Sequence, residues 1–85
     1  MSIPTDLKWA DLTDEQRRLM NIAFPGESFS LGTWEEHSVR AAGELVRVGL
    51  LAGGGLHERH DRQRLYWITL AGRTFVRQAR EAGEE

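Results

Sequence analysis

The sequence predicts a small α+β domain, mainly helical, in which three helices are joined to one β-hairpin. Three observations carry this expectation. A helix with a marked beginning at Thr13-Asp14-Glu15-Gln16 is followed by a second helical stripe that stops at Gly49. A glycine triplet and a charged segment then lead into the β-prone run Leu65-Tyr66-Trp67-Ile68-Thr69. A last amphipathic stretch runs from there to Gly83.

The length of 85 residues sets the count at one domain. Residues 1–12 read as a lead-in, 13–83 as the domain and 84–85 as a tail. So small a domain buries a limited share of its surface, and its usual supports are a disulfide, a metal or a partner. The chain has no cysteine, which excludes disulfides and thiolate metal sites. A homodimer or a larger partner therefore enters as an expectation. No apolar run is long enough to span a bilayer, and the first residues lack the basic start and apolar core of a signal peptide. A soluble, cytoplasmic protein with no membrane partner is expected.

Each element has its own signal. In the lead-in, Trp9 and Leu12 are apolar enough to dock on a core. Thr13 and Gln16 fit a capping box, in which each side chain satisfies a backbone N–H of the other. Leu19, Met20 and Ala23 then form the apolar stripe, with Gln16 at its edge and Pro25-Gly26 ending the helix. Phe29 and Leu31 alternate with Ser28 and Ser30, the pattern of a very short strand broken at Gly32.

The second helix runs to Val48, and its start has three readings. Thr33 caps it with Glu36 completing a capping box, or Ser38 caps it, or a short helix ends near Glu36 and a turn follows. Ala41, Leu45 and Val48 make its apolar face, and Trp34 extends that face backward into the core. Arg40 and Glu44 are spaced as an i, i+4 ion pair. Gly49 takes the left-handed position that ends the helix.

Leu50 and Leu51 are core residues, and Gly53-Gly54-Gly55 marks a bend or bulge. It is not a phosphate loop, because no helix opening with Lys-Ser or Lys-Thr follows. Residues 56–59 and 64–69 pair as a hairpin around the turn His60-Asp61-Arg62-Gln63. Strand alternation puts Tyr66 and Ile68 on one face and Leu65, Trp67 and Thr69 on the other. Tyr66 and Ile68 are assigned to the core, which leaves Trp67 at least partly outside. Thr69 caps the last helix, residues 70–82, with Phe75, Ala79 and Ala82 inward and Val76 beside them.

The order and two local words resemble a winged helix-turn-helix. Ala42-Gly43-Glu44-Leu45-Val46-Arg47-Val48-Gly49-Leu50-Leu51 is similar to the end of a recognition helix in MarR- or PadR-like transcriptional regulators. Tyr66-Trp67-Ile68-Thr69-Leu70-Ala71-Gly72-Arg73 is similar to the last wing strand of those families and its run into the next helix. The resemblance covers about half the chain. The resemblance implies a winged helix of three helices plus a β-hairpin wing. Residues 27–49 are a few residues short for both helices of a helix-turn-helix, so the first is reduced to a turn around residues 31–36.

The resemblance further implies contact with double-stranded DNA at two places. The helix would offer Ser38, Arg40, Gly43, Glu44 and Arg47 to the major groove, with Arg40 placed for a guanine. The wing would offer Arg59, His60, Arg62, Gln63 and Arg64 to phosphates or the minor groove. Charge is distributed to suit such contact: residues 1–36 carry a net −4, residues 37–80 a net +5 and residues 81–85 a net −3. Against it, Glu35 and Glu36 open the recognition helix where phosphates are met.

Other chemistries have little support. His57-Glu58-Arg59-His60 is not a zinc motif, because the second histidine comes too soon and the two point to opposite faces of one strand. No metal and no cofactor is expected. Neither a cysteine nor a glycine-flanked serine nucleophile is present, and Glu35 and Glu36 diverge on a helix, so no enzyme is expected. Two functions follow. One is a small DNA-binding regulator of phage or bacterial type. The other is a protein-interaction module, for example a phage-encoded inhibitor of host machinery, with the outward Trp67 meeting the partner.

Overall fold

The computed structural model describes residues 7–26, 28–57 and 60–83, with only the backbone described at residues 57, 60 and 61. A 3₁₀ turn, Trp9–Asp11, precedes α1 (Asp14–Ala23), β1 (Phe29–Gly32), α2 (Glu36–Arg47), β2 (Leu51–His57), β3 (His60–Ile68) and α3 (Leu70–Glu81). The strands form one antiparallel sheet in the order β1-β3-β2. This is a mainly helical α+β domain, consistent with a winged-helix-like topology. No helix among the described residues is long and apolar enough to cross a membrane.

The helix ends are set by local chemistry. The Gln16 N–H donates to Thr13 Oγ1 at 3.1 Å and the Thr13 N–H to Gln16 Oε1 at 2.8 Å, closing the capping box. At the end of α2, Gly49 takes φ 87°. The Leu50 N–H then reaches the Leu45 carbonyl at 2.9 Å and the Gly49 N–H the Val46 carbonyl at 3.1 Å. This paired closure satisfies two end carbonyls and seats Leu50 against Leu45, both buried. Thr69 Oγ1 accepts from the Gly72 N–H at 2.9 Å and donates to the Gly49 carbonyl at 2.6 Å. One hydroxyl thus caps α3 and ties it to the end of α2.

The core lies on one face of the sheet. Leu31, Leu51, Tyr66 and Ile68 point from the strands toward Leu19, Met20, Ala42, Leu45 and Val76 of the helices. Trp9 and Leu12 of the lead-in complete it, Trp9 lying 6.2 Å from the Phe75 ring. Phe29 stacks on Tyr66 at 5.6 Å and anchors the edge strand β1. A register shift between Gly53 and Gly55 marks the glycine triplet as a bulge, with Gly53 and Gly54 at φ 103° and 99°.

Several expectations are corrected. The hairpin strands extend further than predicted: His57 and His60 are Cα partners on two different strands, so His60 to Gln63 belong to β3 and not to a turn. The register shifts twice along the hairpin, between Gly53 and Gly55 and between Leu56 and His57. Thr33 does not cap α2; Glu35 occupies the N-cap position without a side-chain cap. Trp34 is 66 % exposed and outside the core, because residues 33–35 form a connection that the helical stripe does not reach. The inner face of α3 is Gly72, Val76 and Ala79, with Phe75 half-buried and Ala82 exposed. The helix is rotated because Gly72 packs its backbone on Leu50, where an added Cβ would stand 2.1 Å from the Leu50 carbonyl oxygen.

Candidate functional site

α2 has three sides, and each residue's place follows from the helical repeat. Ser38, Ala41, Ala42 and Leu45 face the core. Glu36, Arg40, Gly43 and Arg47 recur at three- and four-residue spacing on the exposed side. Val39 and Val46, half-buried, turn toward the hairpin.

Between that last side and the hairpin lies a cleft of about 270 Å³, lined by Val39, Gly43 and Val46 from α2 and by Gly53, Gly54, Arg64 and Tyr66 from the strands. Arg64 Nη1 donates to the Gly54 carbonyl at 2.6 Å, which pins the guanidinium across the bulge. Burial pushes the Tyr66 phenol above its ordinary pKa, so the ring remains neutral. Arg62 stands two residues beyond Arg64 on the same sheet face and is exposed.

The predicted residues divide accordingly. Arg40 and Arg47 share the outer side of α2, Arg64 lines the cleft beside it, and Arg62 is exposed further along β3 and is not among the residues lining the cleft. Ser38 is turned away, 8 % exposed, with its hydroxyl donating to Glu15 Oε2. Glu44 accepts from Gln16 Nε2 at 2.8 Å, and no ion pair with Arg40 is present among the described residues. The expected i, i+4 pair yields because Glu44 leans to the α1 side. Gln63 is half-buried on the opposite sheet face from Arg62 and Arg64. Arg59 lies outside the described residues, and His60 is placed only as the first residue of β3.

The acidic start of α2 is partly accounted for. Glu35 Oε2 accepts the Gly32 N–H at 2.8 Å, so this carboxylate closes its own loop. Behind the helix, Glu15 receives Arg18 Nε at 2.6 Å and Nη2 at 2.7 Å as well as the Ser38 hydroxyl. Arg18 first, and Ser38 next, hold the Glu15 carboxyl down at about 2. α1 and α2 are thereby joined by a hydrogen-bonded charge cluster that points α2 outward.

A second surface lies on the far side of the sheet. Trp67, 47 % exposed, and the half-buried Leu65 alternate with the core residues of β3 and so face away from the helices. The Trp34 ring joins them. An added Cβ on Gly32 would stand 2.4 Å from Trp34 Cζ2, so the ring lies flat over that glycine, on the side opposite Leu31. Sequence reasoning singled out Trp67 and missed Trp34. The available signal was Gly32 two residues before it, a bare backbone patch that an aromatic ring can cover. It also missed Gly53 and Gly54 as walls of the cleft, since their nearness to α2 is purely tertiary. No family model matches the chain, and no curated protein or solved structure shows significant similarity to it.

Proposed function

We propose that the protein is a small DNA-binding domain, of the winged-helix kind found in MarR- and PadR-like transcriptional regulators, without enzymatic activity. The observation that carries this reading is the arrangement of charge around the cleft. Arg40 and Arg47 lie along the open side of α2 with Glu36, Arg64 of β3 lines the cleft beside it and Arg62 is exposed further along that strand, while Glu35 and Glu44 are engaged within the chain. Convergent arginines on a helix and a neighbouring hairpin suit a phosphate backbone, and Arg40 suits a base edge. The test is fluorescence anisotropy on duplex DNA across a salt series. Affinity is expected to fall steeply with salt and to weaken in Arg40→Ala and Arg62→Ala. Salt-independent binding, or no binding at low salt, would overturn the reading.

A second reading has its own support in the uncharged aromatic surface formed by Trp34, Leu65 and Trp67. Exposed tryptophans are enriched at protein-binding hot spots. In this reading the occupant is another protein or a second copy of the chain. Affinity capture from the native host that survives nuclease and is lost in Trp67→Ala would favour it over DNA.

A further inference from the structure

The outer face of the sheet carries no charge between the row of Gly32 and Gln63 and the row of Ala52 and Trp67. Pairing fixes its members: Ser30 and Gly55 flank Leu65, Gly32 flanks Gln63 and Ala52 flanks Trp67, all pointing away from the helices. Yet 28 % of the chain is Asp, Glu, Lys or Arg. The next position in the alternation, Asp61, lies beyond these rows toward the hairpin tip. On the neutral stretch Trp34 and Trp67 are 66 % and 47 % exposed, with Leu65 half-buried between them. The other exposed large apolar residues among those described, Ile22, Leu56 and Leu70, stand on three different elements. No second patch of this kind is present among the described residues.

What covers such a face must match it. A nucleic-acid strand needs cations where it lies, and a charged protein surface would bury its own charges unpaired. The chain itself supplies the matching surface, and its arrangement is self-complementary. Trp67 stands at the Ala52 row and Trp34 lies over Gly32 at the Gln63 row, at opposite ends of the face. A two-fold axis running across the strands at Leu65 exchanges those ends. It sets Leu65 on Leu65, and each Trp67 over Gln63 and beside Trp34 of the second copy. Two-fold contacts require a patch that fits itself, and two antiparallel sheets pack face to face in this way. The two rings alone offer roughly 200–300 Å² per copy. The contact therefore falls at the small end of specific interfaces.

We propose that this face is the contact between two copies of the chain, packed sheet on sheet about Leu65. The proposal rests on the protein-contact reading of the aromatic surface and names its occupant. The test is sedimentation velocity of the full chain from about 5 μM to about 1 mM, a span that brackets the weak dimer expected of so small a contact. The parent is expected to pass from monomer to dimer across that range. Its dissociation constant should hold within about twofold as sodium chloride rises, since no charge is buried. Trp34→Ala and Trp67→Ala should each raise the constant about tenfold or more, because each change is made on both copies. Gly55→Glu should abolish the dimer by setting like charges together on the axis. Gly55 tolerates the change within the fold, being of ordinary φ and open around its Cβ position. Leu70→Ala, on an exposed residue of α3, is the control and should leave the constant unchanged. A monomeric parent throughout, a dimer that dissolves steeply with salt, or an equal loss in Leu70→Ala would overturn the proposal. If the parent is monomeric but nuclease-resistant capture is still lost in Trp67→Ala, the second copy falls and the protein-contact reading stands. A monomeric parent without such capture removes both.

Discussion

The two faces of the sheet are built from one strand and carry opposite chemistry. β3 sends Arg62, Arg64, Tyr66 and Ile68 to the side of the helices and Gln63, Leu65 and Trp67 to the other. On the first side the apolar residues are consumed by the core, Arg64 lines the cleft beside α2, and Arg62 is exposed beyond it. On the second side no helix among the described residues covers the strands, and Trp34 and Trp67 remain partly in water. Alternation thus gives one short hairpin a basic surface and an aromatic one. The two can be altered separately, because neighbouring residues of β3 point in opposite directions.

The largest effect is expected where both surfaces share support. α3 is fastened by Gly72 against the Leu50 backbone, so Gly72→Ala should overpack that contact and destabilise the domain by about 1–3 kcal/mol. Its urea midpoint should fall, and both surfaces should lose function together; a variant as stable as the parent would show that α3 does not hold them. Next in size is a selective effect. Arg64→Glu should lower duplex affinity by roughly tenfold to hundredfold, while Trp67→Ala leaves it within about twofold. Equal losses in the two variants would erase the distinction between the faces.

A smaller effect concerns the cluster behind α2. The Glu15 carboxyl, held at about 2 by Arg18 and Ser38, lies below its ordinary value of 4.5. A carboxyl with a lowered folded-state pKa contributes stability that is fully present above its ordinary value. That contribution should fade as pH falls from about 4.5 toward about 2. Glu15→Gln should lower the urea midpoint at neutral pH and flatten its acid dependence; an acid dependence identical to the parent's would place the acid-sensitive group elsewhere. The smallest effect is expected at Trp34, whose exposed ring covers Gly32: Trp34→Ala should change stability by no more than about 1 kcal/mol in a denaturant titration.

Much of this architecture was legible along the chain because it is local. The Thr13–Gln16 box, the Gly49 closure and the Thr69 cap each depend on residues a few positions apart, and all three form where expected. Tyr66 and Ile68 went to the core and Trp67 outward by simple alternation. The missed features are those that need two elements at once. Glu44 prefers Gln16 of α1 to Arg40 of its own helix, and Ser38 is drawn to Glu15. Helical spacing cannot report either choice, since each partner is more than twenty residues away.

What the sequence determined by itself is therefore the set of elements, their order and the core face of most of them, since periodicity and capping act over one or two turns. Only the tertiary structure decided which polar residues of α2 remain free, where the Trp34 ring settles, and that Gly43 of α2 lines one cleft with Gly53 and Gly54 of the bulge. Those outcomes depend on how far one element is rotated against another. That rotation is fixed by side-chain volume at distant contacts such as Gly72 on Leu50, and a linear pattern contains no record of it.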